Sequence, residues 1–215
     1  MNIAIITGGD LDEDFVNDFL KRNAMDKIIA ADRGMKFCYD NLVKPDLIMG
    51  DYDSIDGKIL EYYGTKTDIP METFPAEKDD TDTEIALKKA MELGGDQIFI
   101  LGAMGGRMDH FLANVQLLQM PLARGIQAYL VDSQNVIRLI DHPLTLKKCE
   151  QFGKYTSLMP FTDQVEHITL KGFKYPLQDY CMVKGSSIGI SNEIKEETAE
   201  ILFNKGTLIM IQSKD

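Results

Sequence analysis

The chain has 215 residues, with no tryptophan, only three cysteines and no surplus of positive charge. Each shortage excludes something. Cys38, Cys149 and Cys181 are odd in number and far apart, which rules against a disulfide framework or a cysteine zinc site and points to reduced thiols in a cytoplasmic protein. A formal net charge of −11 rules against a nucleic-acid partner, which would need a basic face. No apolar run approaches the ~20 residues of a membrane-spanning helix. The start, Met1-Asn2-Ile3-Ala4-Ile5-Ile6-Thr7-Gly8-Gly9, lacks a basic leader and reads as a first strand and turn rather than a signal peptide. Two phosphate-binding signatures are also missing: there is no G-x-x-x-x-G-K-[ST], and no G-x-G-x-x-G after the first strand.

What is present is acid in particular places. Residues 1–140 carry 14 Lys+Arg against 24 Asp+Glu, and residues 141–215 carry 9 against 10, so the negative charge belongs to the first part. Some of it lies on solvated helix faces, such as Asp12, Glu13, Asp14 and Asp18. The rest follows apolar, strand-like runs. Gly50-Asp51-Tyr52-Asp53-Ser54 follows Leu47-Ile48-Met49, Asp32 follows Ile28-Ile29-Ala30-Ala31, Asp79-Asp80-Thr81-Asp82 precedes a helical pattern, and Asp109 ends Gly105-Gly106-Arg107-Met108-Asp109.

Strand and helix patterns alternate through the first 140 residues. Strands are expected at Ile3–Thr7, Lys27–Ala31, Asp46–Met49, Met71–Pro75, Gln97–Leu101 and Gln127–Val131. Helices are expected at Leu11–Arg22, Met35–Leu42, Gly57–Tyr63, Thr83–Leu93 and Phe111–Arg124. This predicts an α/β domain with a mostly parallel sheet flanked by helices, whose ligands bind beyond the carboxyl ends of the strands. After residue 142 the runs shorten and turn signals crowd in, which predicts a C-terminal all-β sandwich. Its strands are expected at Tyr155–Pro160, Glu166–Leu170, Tyr180–Val183, Ile188–Ile190, Thr198–Phe203 and Thr207–Gln212. The expected domains are therefore 1–142 and 143–215.

Helix capping competes with catalysis as the reason for these acids, since Asp is a favoured N-cap and each motif precedes a helix. Thr81-Asp82-Thr83-Glu84 fits a capping box with Thr81 as the cap. Yet one helix start uses one cap, while Asp51 and Asp53 supply two carboxylates and Asp79, Asp80 and Asp82 supply three. Gathered on one sheet edge they would repel by a few kcal/mol without a counter-charge. A divalent cation such as Mg²⁺, held by carboxylates and substrate phosphates, removes the difficulty. Gly102-Ala103-Met104-Gly105-Gly106-Arg107 is the candidate phosphate cradle, with Arg107 as a forked donor. His110 reads as structural or substrate-positioning.

In order and spacing these blocks resemble the bacterial thiamine pyrophosphokinase family. The matching blocks are Ala31-Asp32-Arg33-Gly34, Pro45-Asp46 through Gly50-Asp51-Tyr52-Asp53-Ser54-Ile55, Glu77-Lys78-Asp79-Asp80-Thr81-Asp82 and Gly105-Gly106-Arg107-Met108-Asp109-His110. The second domain adds Gly172-Phe173-Lys174-Tyr175-Pro176-Leu177, Ile190-Ser191-Asn192-Glu193 and Gly206-Thr207-Leu208-Ile209-Met210-Ile211. The resemblance implies a homodimer with active sites between subunits, and a reaction in which ATP and thiamine give thiamine diphosphate and AMP. It implies Asp51, Asp53 and Asp82 as Mg²⁺ ligands. Asp32, Asp79, Thr81, Gly105, Gly106, Arg107, Asp109 and His110 would line the nucleotide and transfer site, with Asp79 or Asp109 facing the thiamine hydroxyl. Ser187, Ser191 and Asn192 would meet thiamine, whose cationic thiazolium suits an acidic cleft. Transfer to another small alcohol such as a pterin stays open as an alternative. So does a phosphatase using Asp51-x-Asp53 as an aspartyl-phosphate motif, although that motif ends the third strand here, not the first. A nucleotide-sensing dimer without catalysis is the third alternative.

Overall fold

The computed structural model describes residues 1–53, 55–75 and 79–215; Ser54 and the Glu77-Lys78 pair of the acidic blocks lie outside the described residues. The chain forms two compact units, Met1–Ser133 and Gln134–Asp215.

The described residues of unit 1 form six strands: β1 (Asn2–Ile6), β2 (Lys27–Ala31), β3 (Leu47–Gly50), β4 (Met71–Thr73), β5 (Gln97–Leu101) and β6 (Gln127–Val131). All pair in parallel, in the order β6-β5-β1-β2-β3-β4. The helices are α1 (Glu13–Arg22), α2 (Gly34–Asp40), α3 (Gly57–Lys66), α4 (Asp82–Glu92), α5 (Met108–Leu117) and α6 (Gln119–Leu122). Ile3, Ala4, Ile5 and Ile6 have no exposed surface, as a central parallel strand covered on both faces requires. Strand order reverses between β1 and β5, which opens a crevice at the carboxyl ends of those two strands. The helix expected over 111–124 is two helices. Pro121 has no N–H to donate to Leu117, and its ring would clash with that carbonyl, so α5 stops at Leu117 and α6 begins afresh. Among the described residues no helix is long and apolar enough to cross a membrane.

Unit 2 is built from two antiparallel sheets. One holds β7 (Asn135–Ile140), β9 (Tyr155–Pro160), β12 (Asn192–Glu193) and β14 (Leu208–Ser213), in the order β12-β9-β14-β7. The other holds β8 (Leu144–Lys147), β10 (Gln164–Lys171), β11 (Leu177–Val183) and β13 (Thr198–Leu202), in the order β11-β10-β13-β8. Ile140, Leu158 and Met210 from the first sheet share one buried cluster with Val165, Ile168 and Ile201 from the second, the core of a sandwich. The unit begins at Gln134 because β7 pairs with β14 along its whole length, from Asn135↔Ser213 to Ile140↔Leu208. Residues 188–190, expected as a strand, form a turn, in which the Gly189 carbonyl accepts from Leu158 N–H at 2.9 Å.

Candidate active site

The loops that leave β1, β2 and β5 are fitted to one another at backbone level. A Cβ on Gly9 would stand 2.1 Å from the carbonyl oxygen of Gly102, and one on Gly34 would stand 1.9 Å from that of Ile6. Only glycine allows such approaches. Buried Thr7 adds a hydroxyl bond to Leu101 O at 3.2 Å. The result is a rim across the carboxyl ends of β5, β1 and β2, and the acids stand beside it.

Asp32 leaves β2 in a left-handed conformation, φ +48°, which Asp tolerates better than most residues. Its N–H donates to Met49 O at 2.8 Å and its carbonyl accepts from Met35 N–H at 3.1 Å, so the turn is tied to β3 on one side and α2 on the other. The carboxyl pKa is raised, first by burial and then by the charges of Asp82 and Asp51, with a bond from Arg33 N–H opposing. Two acids from two other loops therefore act on Asp32. Asp51 follows β3, is half-buried, and accepts Asp53 N–H at 3.1 Å; Asp53 is exposed. Asp82 is the first residue of α4. The expected box is half realised, because Thr81 caps the helix by accepting Glu84 N–H at 3.2 Å, while the Glu84 carboxylate pairs with Lys88. Lys88 also holds Asp80 at 2.6 Å, which withdraws that acid from the rim; Asp79 is exposed. The cap of α3 is Asp56, so neither Asp51 nor Asp53 serves as one.

Among the described residues no three His, Cys, Asp or Glu groups are drawn together tightly enough to hold a metal ion unaided. The donor set still suits Mg²⁺, which keeps water and substrate phosphate oxygens beside a few protein carboxylates and so needs no closed protein cage. The crowding at Asp32 is the local sign that a positive charge would be welcome.

On the β5 side, Gly105 and Gly106 both take positive φ, +86° and +60°. Arg107 is the N-cap residue of α5 and makes no side-chain cap bond. Instead its guanidinium forks onto Asp109, Nε to Oδ1 at 3.1 Å and Nη2 to Oδ2 at 2.6 Å. The fork and the N–H of His110 hold the Asp109 carboxyl down at about 2, which makes it a poor proton acceptor near neutral pH. His110 is exposed. Asn114, which the sequence reading missed, is buried and donates to Ala103 O at 2.8 Å, fastening the glycine loop to α5. Its signal was an amide on the apolar side of a helical stripe, where a polar group must have a partner.

In unit 2, Ser187 is exposed just before the 188–190 turn, its carbonyl accepting from Ile190 N–H at 3.1 Å, and Ser191 (φ +55°) donates its N–H to Ser157 Oγ at 2.9 Å. Asn192 is buried. Its amide donates to Tyr175 O at 2.7 Å and accepts from the N–H groups of Tyr175 and Glu193, each at 3.0 Å. Those bonds make it the clamp of the 172–176 loop. Ser191 and Asn192 are adjacent, and the 187–190 turn leads directly into them.

Family models match both parts of the chain: "Thiamin pyrophosphokinase, catalytic domain" over residues 20–130 and "Thiamin pyrophosphokinase, vitamin B1 binding domain" over residues 141–208. The thiamine pyrophosphokinase of Bacillus subtilis is 37% identical over 190 residues, covering 87% of each chain. Thiamine pyrophosphokinase 2 of Arabidopsis thaliana is 30% identical, covering 83% of this chain and 69% of the plant protein. The crystal structure of the Bacillus subtilis enzyme superposes with a TM-score of 0.88 at 33% identity over the whole of both chains. That of Geobacillus thermodenitrificans gives 0.85 at 33%, covering 100% of this chain and 98% of the other. None of these relatives is named as a pterin kinase or a phosphatase, and the Asp51-x-Asp53 motif ends β3 rather than β1, so neither alternative finds support. Fold, spacing of the acids and likeness agree: the chain belongs to the thiamin pyrophosphokinase family.

Proposed function

We propose that the rim of unit 1 binds ATP with Mg²⁺ and that the chain transfers the pyrophosphoryl group to the hydroxyl of thiamine, releasing AMP and thiamine diphosphate. The observation that carries this is the placing of Asp32, Asp51 and Asp82 by the end of β2, the end of β3 and the start of α4, where the charges of Asp82 and Asp51 both bear on the Asp32 carboxyl. Asp51, Asp53 and Asp82 would hold Mg²⁺, whose chemistry here is to neutralise charge on the phosphates and the AMP leaving group. Gly105 and Gly106 would offer backbone N–H groups to the phosphates, with Asp32, Thr81 and His110 lining the nucleotide site. Arg107 would exchange part of its Asp109 fork for phosphate oxygens. Because Asp109 is tied to Arg107, Asp79 is the better group to orient the thiamine hydroxyl and take its proton. Unit 2 would bind thiamine through the Ser187–Ser191 turn, with Asn192 holding the neighbouring loop in shape. A homodimer with active sites between subunits, working in the cytoplasm, completes the reading.

Chromatography of products from ATP, Mg²⁺ and thiamine tests the reaction. AMP with thiamine diphosphate is expected, and ADP with thiamine monophosphate would overturn the pyrophosphoryl step. Light scattering during gel filtration tests the dimer, and a monomer that retains full activity would remove it.

A further inference from the structure

A residue between a half-buried carboxylate and an exposed one has reason to face water too, and Tyr52 does not. It is half-buried and left-handed, φ +62°, a conformation that costs a bulky side chain about 1–3 kcal/mol. Its ring folds back over Gly50, where a Cβ would lie 3.5 Å from Cε1, so it packs on the one residue of β3 that has no side chain. Its hydroxyl reaches Glu72 O on β4 at 3.0 Å and Ile48 O on β3 at 3.3 Å. The turn closes on both sides of it, through Asp53 N–H to Asp51 Oδ1 and through Ile55 N–H to Tyr52 O at 3.1 Å. β4 has three residues, and Phe74 N–H beyond it donates to Gly50 O at 3.1 Å. The chain after Phe74 leads to Asp79 and Asp82.

We propose that Tyr52 is a positioning residue for magnesium, a bolt that fixes the Asp51–Asp53 turn to β4 and sets the direction of both carboxylates. This rests on the metal reading given above. The φ of the middle residue decides where its two neighbours point, and Mg²⁺ tolerates little departure from octahedral geometry. A turn released from its hydroxyl anchor would relax out of the left-handed region and swing Asp51 and Asp53 apart. The loss would fall on the ion rather than on the nucleotide.

The test uses the full chain, with Mn²⁺ as an electron-paramagnetic probe and α,β-methylene-ATP as the uncleavable nucleotide. Tyr52→Phe keeps the ring and removes the anchor. It is expected to weaken Mn²⁺ in the ternary complex about tenfold, as loss of an outer partner does at other metal sites. The Mg²⁺ concentration giving half-maximal turnover should rise to match, and hydrogen exchange at Phe74 N–H should quicken relative to β1. Tyr52→Leu should exceed both effects; if it fails to fold, Tyr52→Phe decides alone. Unchanged Mn²⁺ affinity in folded Tyr52→Phe overturns the proposal. A wild-type chain that neither binds Mn²⁺ with the nucleotide nor converts thiamine overturns the parent reading instead, so the two failures are distinguishable.

Discussion

Asp32 carries a charge that its surroundings disfavour, through burial and through the two acids it meets. Its pKa is raised on folding, so the folded chain binds that proton more tightly than the unfolded one. Stability is therefore lost as pH climbs from the ordinary carboxylate value through the raised one, and regained below. Asp32→Asn removes the penalty and keeps a side chain that accepts φ +48°. Differential scanning fluorimetry at pH 7.5 should show a melting temperature higher by a few degrees, about 2–4 °C per kcal/mol at this size, with the gain shrinking toward pH 4. Thiamine turnover should fall in the same variant; a lower melting temperature would contradict this account of the site. Asp51→Asn or Asp53→Asn should cut turnover at least ~10²-fold, about 2.7 kcal/mol of transition-state stabilisation, with an unchanged circular dichroism spectrum. Near-wild-type kinetics at saturating Mg²⁺ would remove their assignment. These acids were legible in the sequence because a carboxylate right after an apolar run needs a reason. The partners of Asp109 and Asn192 were not legible. Which donor a side chain finds across 17 residues, as Asn192 finds Tyr175, depends on a loop path that spacing does not encode.

At the scale of the element, α4 brings Asp82 to the rim, and Thr81 fixes where that helix starts. Thr81→Ala should cost about 1 kcal/mol by denaturant titration, whatever becomes of activity. Asn192 does the same service for the 172–176 loop. Asn192→Ala leaves two N–H groups and a carbonyl unpaired, so a loss of about 2 kcal/mol is expected in the same assay, with a raised KM for thiamine. Five of the six parallel strands were readable as largely buried apolar runs, while β4, half-buried to exposed at the sheet edge, was readable only from its place in the alternation. β7, β8 and the two-residue β12 were missed. β8 is a short edge strand of alternating half-buried and exposed residues, and β7 earns its place by pairing with a strand about seventy residues away, which no local pattern announces. The break between α5 and α6 was visible in principle at Pro121, but an unbroken apolar periodicity outweighed it.

Across the whole molecule, the change from long alternating patterns to short crowded ones located the change of architecture, because parallel crossovers need helices and antiparallel hairpins need only turns. Strand order was not readable. The reversal between β1 and β5 follows from which strands pair, and it alone decides that the Gly8-Gly9 turn and the Gly102–Arg107 loop face one crevice. Residues 1–140 hold nearly all of the excess acid, so the electrostatic character of the cleft was available from counting.

The close approaches of Gly9 to Gly102 and of Gly34 to Ile6 leave these turns little slack to take up, whether or not a ligand is present. A guest meeting such a prepared host forfeits little chain entropy, so most of the interaction enthalpy survives as affinity. Isothermal titration calorimetry with α,β-methylene-ATP and Mg²⁺ should accordingly give a heat-capacity change far smaller than the value typical of coupled folding. A large negative value would mean that the rim is assembled on contact.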